Sequence, residues 1–366
     1  MMRRLFAVIS ALGVFVGVGH AQTKSTSAGS VQLDKMVDGL DTPWAIGLLP
    51  DGSFLVTERN GTLLLVSDGE AREVSGAPRV AARGQGGLLD VTVARDFAQT
   101  REIFLTYSKP QRGGAGTALA VAKLSDNGRR LQNLREIFES EPGFSGGRHF
   151  GSRVVEAADG TLFVTIGDRG DRPSAQDRAN HNGTIVRVAR DGSIPPDNPF
   201  VGVTGVQPEI WSYGHRNPQG AGLDLQGNLW TAEHGARGGD EMNLIAKGVN
   251  FGWPVISYGV HYSGASIGEG TRRDGMEQPV FYWDPSIAPS GLLVYSGKLW
   301  PSWRGDIFVG SLKFDYISRL EGSPLREVEQ IQSTETGRVR DIVEGADGSI
   351  WFLSVGEGAV YRMTPG

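Results

Sequence analysis

Arginine, lysine, histidine and amide side chains cluster in this sequence at the ends of short aromatic runs. The clearest cluster is Tyr213-Gly-His-Arg-Asn-Pro-Gln-Gly220, which holds His215, Arg216, Asn217 and Gln219. Other clusters hold Gln85; Arg148, His149 and Arg153; Asp168, Arg169 and Asp171; Glu233, His234, Asp240 and Glu241; Lys313; and Arg338, Arg340 and Asp341. An imidazole suits proton transfer because it titrates near neutral pH. The four cations Arg216, Lys313, Arg338 and Arg340 carry a stronger signal. Brought together they would repel one another and require an anion, and a small, multiply charged cofactor would supply one.

Each piece also has a plain reading. Polar turns sit at sheet rims without being sites. A lone histidine is more often packed or solvated than catalytic, and Asp240 and Glu241 would cap a short helix running to Gly248. The sequence contains no HExxH and no P-loop. Gly235-Ala-Arg-Gly-Gly-Asp240 lacks the GxGxxG order and opens no long helix, so a nicotinamide fingerprint is not supported. Without cysteine, zinc ligation by thiolates is excluded.

The elements that must position these groups show as a repeat. Six segments align without gaps: Asp51-Gly-Ser-Phe-Leu-Val-Thr-Glu58, and the octets beginning at Thr100, Asp159, Gln226, Arg304 and Asp347. Each opens like a turn, usually with glycine second, and carries apolar or aromatic residues at its fourth and fifth positions. Their starts lie 43 to 78 residues apart. A strand-forming unit recurring with long uneven insertions predicts an all-β fold, a six-bladed β-propeller with one copy per blade. Loops from several blades would meet at one end of its central channel, where a small ligand would bind. The chain has 366 residues, 39% hydrophobic and 21% charged, enough for one such domain over residues 31–366.

The N-terminus reads differently. Arg3 and Arg4 precede an apolar run from Leu5 to Val18, and small residues follow at Gly19 and Ala21. This is the pattern of a secretory signal peptide over residues 1–21, too short for a membrane span of roughly 20 apolar residues. Residues 22–30 would be a flexible lead-in. The formal net charge is −5 and no basic block appears, so nucleic acid is not an expected partner and no stable membrane insertion is expected. The expected location is a bacterial periplasm.

Tyr213–Gly220, taken with the run Asp240 to Pro254, resembles the soluble PQQ-dependent sugar dehydrogenases. That family includes soluble quinoprotein glucose dehydrogenase and the aldose sugar dehydrogenases, and the similarity to the latter extends from Leu40 to Met363. The resemblance implies that PQQ, an ortho-quinone with three carboxylates, is bound by Arg216, Asn217, Gln219, Lys313, Arg338 and Arg340. Ser286 stands where the glucose enzyme has threonine and keeps the hydroxyl. Calcium is implied at the backbone carbonyls of Gly235 and Ala236, and a second, structural calcium at Glu241 and the carbonyl of Phe251. The matched general base is His149, held by Asp168, with Gln85 contacting substrate or base. Asp284 departs from the family: the glucose enzyme carries tryptophan there, near the sugar.

The activity so implied is oxidation of an aldose at C1 to the aldonolactone, with an electron acceptor that the sequence does not name. A calcium-dependent propeller lactonase and a non-catalytic sugar-binding propeller would use many of the same residues. The cationic set speaks against both.

Overall fold

The repeat becomes the second strand of every blade. In the computed structural model, which describes residues 22–366, the six copies form the strands Phe54–Glu58, Glu102–Gln111, Leu162–Ile166, Leu229–Glu233, Ile307–Ser311 and Ile350–Ser354. Each is the second strand, counted outward from the axis, of a separate antiparallel sheet, and six sheets form a six-bladed propeller. The leader expected over residues 1–21 lies outside the described residues.

The turn-like opening has a local cause. In blades 1, 3 and 6 the first carboxylate, Asp51, Asp159 or Asp347, accepts the amide and hydroxyl of Ser53, Thr161 or Ser349. The second residue takes positive φ: +89° at Gly52, +82° at Gly160 and +91° at Gly348. The copy that lacks glycine puts Arg101 in the same left-handed conformation at 57°. Its guanidinium ties back to the carbonyls of Leu124 and Ser125 at 2.8 Å each.

The continuous apolar run that follows reflects burial on both faces. Phe54 and Val56 pack toward blade 6, while Leu55 packs toward blade 2. Ile307 and Val309 join the cluster shared with blade 4, and Phe308 joins the one shared with blade 6. Six large hydrophobic clusters result, one in each seam between neighbouring blades. Near the axis, threonine hydroxyls cross the seams: Thr106 to the Ser152 carbonyl at 2.6 Å and Thr165 to the Pro218 carbonyl at 3.0 Å.

Blade 6 closes the ring with both ends of the chain. Its inner strands Val339–Glu344, Ile350–Ser354 and Ala359–Pro365 are completed by Gly29–Val37 from the N-terminal side, Val31 lying opposite Pro365. Two expectations are corrected here. Residues 22–30 are not a flexible lead-in: Gln22–Thr26 pairs with the strand Gly29–Val37 as a fifth strand, and Ser27 bonds Glu329 of blade 5. The segment starting at Asp240 is not a short helix but the strand Asp240–Leu244. Met242 alternates inward to a core position against Trp283, and that burial outweighs a weak helical preference.

Candidate active site

Antiparallel blades bring two kinds of loop to one end of the channel. Innermost strands begin there and second strands end there, so the residues just before the former and just after the latter converge. Trp44, Arg59, Gln85, Gln219, His234, Ala288, Leu312, Lys313, Arg338 and Arg340 line a cavity of about 400 Å³ at this mouth. Of the expected site residues, Gln85, Gln219, Lys313, Arg338 and Arg340 are in that lining. Trp44, Arg59 and His234 are additional.

The cations are held apart from carboxylates. Arg216 is buried against the Trp253 ring at 5.4 Å, and its Nη1 donates to the His234 carbonyl at 3.0 Å. Its Nε and the Nδ2 of Asn217 are buried without a partner. Arg338 donates to the Leu312 carbonyl at 2.8 Å, and Arg340 to the Gln219 side chain at 2.5 Å. Burial and the neighbouring charges of Arg153, Arg59 and Arg338 push Arg340 down to about 9. Burial, together with Arg216 and Arg340, pushes His234 down to about 3. The pocket is therefore short of negative charge, and its unsatisfied donors are suited to a ligand bearing several carboxylates.

Below the cavity, Arg153 forms a plug across the channel. Its guanidinium reaches Asp90 at 3.0 Å and Asp341 at 2.9 Å and holds the backbone carbonyls of Gln219 and Arg340 at 2.8 and 3.1 Å. One side chain thus braces two lining residues from different blades.

His149 stands beside the cavity in a left-handed conformation, φ 55°. Its amide donates to Gln85 Oε1 at 2.7 Å. A carboxylate can only accept, so Nδ1 donates to Asp168 Oδ1, 2.6 Å away, and Nε2 is left as the acceptor. Asp168 also accepts the Gly170 amide and the Trp253 indole at 2.7 and 2.8 Å. Burial raises the Asp168 carboxyl, but the bond from His149 and the positive charge nearby bring it below the usual range. Burial, with Arg216 and Arg148 adding repulsion, holds His149 below its ordinary value despite Asp168. The fully buried Arg169 braces this loop through the Gly146 carbonyl at 2.9 Å and the Arg148 carbonyl.

The remaining expected residues lie around a second, much smaller cavity of about 10 Å³. Gly235, Glu241 and Phe251 line it with Glu233 and Arg216. Asn243 donates to both carboxylates, at 2.8 Å to Glu233 and 3.2 Å to Glu241. Burial and the charge of Glu233 push Glu241 up to about 8. A buried carboxylate, Glu233, and a half-buried one, Glu241, beside a hole the size of one small sphere fit a cation. Among the described residues no group of three or more His, Asp or Glu side chains forms a metal cage, so ligation here needs carbonyls. Ala236 is buried next to Gly235. Ser286 is outside the main lining: its hydroxyl donates to Asp240 at 2.6 Å, and Ala288 reaches the cavity instead. Asp284 lines a separate cavity with Trp283, Phe314 and Tyr316.

His149, expected from the sequence to act as a general base, would do so in its neutral form. Because His149 titrates below the ordinary histidine value of about 6.5, the acidic limb of kcat/KM should fall below pH ~6.5 and the neutral-pH rate should be flat. A pH profile on a non-titrating substrate measures this. A limb centred above pH ~7 would contradict the assignment.

The family described as Glucose / Sorbosone dehydrogenase matches residues 40–362. An aldose sugar dehydrogenase of Escherichia coli is 42% identical over 346 residues, covering 92% of this chain and 93% of that protein. The crystal structure of the soluble aldose sugar dehydrogenase of Escherichia coli in its apo form superimposes with a TM-score of 0.88 at 41% identity, over 92% of this chain and 100% of that one. The PQQ-bound aldose sugar dehydrogenase of Streptomyces coelicolor shares the fold, with a TM-score of 0.76 at 24% identity over 94% and 99% of the two chains.

Proposed function

Because the chain belongs to the Glucose / Sorbosone dehydrogenase family, we propose that it oxidises aldose sugars at C1 to aldonolactones, using PQQ and calcium. The observation that carries this reading is the set of cations without a carboxylate partner in the cavity wall, Arg59, Lys313, Arg338 and Arg340, with Arg216 Nε and the amide Nδ2 of Asn217 buried nearby without partners. These groups match the carboxylates of PQQ. When bound, PQQ supplies the two-electron acceptor for the hydride leaving C1.

The chain's own residues do the rest. Nε2 of His149 takes the proton of the anomeric hydroxyl. Asp168 keeps the ring in the tautomer that can do so and stabilises the imidazolium formed. Trp253 and Gly170 hold Asp168 in turn, and Gln85 fixes the backbone at His149. Calcium at the carbonyls of Gly235 and Ala236 would supply Lewis-acid polarisation, and a structural calcium at Glu241 and the Phe251 carbonyl would neutralise the buried carboxylates. The leader read in residues 1–21 supports action in a bacterial periplasm. No helix among the described residues is long and apolar enough to cross a membrane.

Apoprotein should be inactive and should regain dye-linked aldose oxidation only when both PQQ and calcium are added. Full activity with chelator and no added quinone would overturn the reading. Ester hydrolysis with calcium alone would favour a lactonase, and sugar binding without turnover a binding protein.

A further inference from the structure

Arg59 follows the repeated strand of blade 1 and lines the main cavity. Its Nη1 donates to the Gly84 carbonyl at 2.8 Å, while its Nε is buried without a partner. Asp41 is nearby, but it bonds Thr42 and Asn60 and forms no ion pair with Arg59 among the described residues. Arg338, another cavity cation, adds repulsion. A half-buried guanidinium in this position lacks an anion.

Arg59 also leads to the base. Gly84 precedes Gln85, whose amide donates to the Gly147 carbonyl at 2.7 Å and whose side chain accepts the His149 amide at 2.7 Å. The two loops touch through bare backbone. A Cβ on Gly84 would lie 2.2 Å from the Gly147 carbonyl oxygen, and one on Gly87 would lie 1.9 Å from that of Arg59. Arg59 is thus in direct contact with the loop whose Gln85 fixes His149.

We propose that Arg59 binds a carboxylate of PQQ and, through Gly84 and Gln85, couples occupation of the cofactor pocket to ordering of the His149 loop. The proposal rests on the PQQ reading above. It assigns Arg59 a cofactor-binding role at one end of its guanidinium and a positioning role toward His149 at the other.

The test uses the full-length mature protein freed of cofactor, with PQQ itself as probe. Affinity is titrated by quenching of intrinsic fluorescence, and amide hydrogen exchange is followed at residues 83–87 and 147–150 with and without PQQ. Arg59→Gln should weaken PQQ binding about 30-fold or more, and Arg59→Lys by less, because a point charge replaces a fork. Arg72→Gln removes the same charge from an exposed position on blade 1 and should stay within about twofold. PQQ should slow exchange of both loops in the wild type. In Arg59→Gln it should not, even at saturation. An Arg59→Gln affinity within about threefold of wild type, or a slowing of loop exchange by saturating PQQ in Arg59→Gln equal to that in the wild type, overturns the proposal. A wild type that binds no PQQ overturns the underlying reading and this proposal with it. Melting temperatures of both Arg59 variants show whether either has simply lost its fold, and a folded Arg59→Lys with wild-type affinity and protection supports the carboxylate contact only if Arg59→Gln loses both.

Discussion

His149→Ala is expected to lower turnover about 10²- to 10⁴-fold while leaving PQQ affinity close to that of the wild type, the usual worth of a positioned general base. The separation of effects follows from the geometry. His149 bonds Asp168 through Nδ1 and Gln85 through its own amide, and the alanine variant keeps the second bond. The contacts proposed for the cofactor come from other blades, through Arg216, Lys313, Arg338 and Arg340, and would be untouched. The variant should also lose the acidic limb that His149 imposes on the pH profile. A purely structural histidine would behave differently, its loss lowering melting temperature and PQQ affinity together. Turnover, affinity and melting temperature measured on one preparation distinguish the cases. Turnover within about threefold of wild type with PQQ bound would remove His149 from the mechanism.

Arg216→Ala should weaken PQQ binding more than it changes sugar affinity. Removing one partner of a buried charge pair costs about 2 to 5 kcal/mol, or roughly 30-fold to several-thousand-fold in the dissociation constant. Arg216 is buried, its Nε has no protein partner, and burial lowers its pKa despite the charges of Asp168 and Asp240. Its Nη1 bond to the His234 carbonyl also steadies the turn leading into Gly235. Calcium affinity should therefore fall in the same variant, by less than PQQ affinity does. Titration of PQQ at saturating calcium isolates the direct effect, and an unchanged dissociation constant would refute the contact.

The blades were legible because the second strand of each is buried on both faces. That leaves an uninterrupted apolar run after a turn, and the turn has its own chemistry in Asp-Gly-Ser or Asp-Gly-Thr. The leading strand Gln22–Thr26 was not legible: its sequence is polar and largely exposed, and its partner Gly29–Val37 is itself placed by pairing with a chain end more than 300 residues away. Asp240–Leu244 misled for a related reason, since only its partners in the sheet reveal that Met242 points inward.

Of the site, the cations near the repeats stood out, and the same rule held the signal for two residues given no role. Arg59 and His234 each follow a repeated strand directly. Trp44 and Trp253 carried no such signal, because an indole in a sequence does not say whether it packs in a seam or under a guanidinium. Here Trp253 does both polar tasks at once, holding Asp168 by its nitrogen and Arg216 by its face.

The closure of blade 6 by both chain ends also gives the molecule a mechanical weak point. Gly29–Val37 and Ala359–Pro365 run antiparallel, with Val31 opposite Pro365, so once Gln22–Thr26 is detached the two chain ends leave the sheet on the same side. Tension applied between the termini would first peel Gln22–Thr26 and then open this pair rung by rung, loading one hydrogen bond at a time instead of shearing all of them together. Arg338 and Arg340 flank Val339 at the start of the innermost strand of the same blade, two strands farther in. A pulled molecule would thus give up its rim at low force before tension reached the pocket.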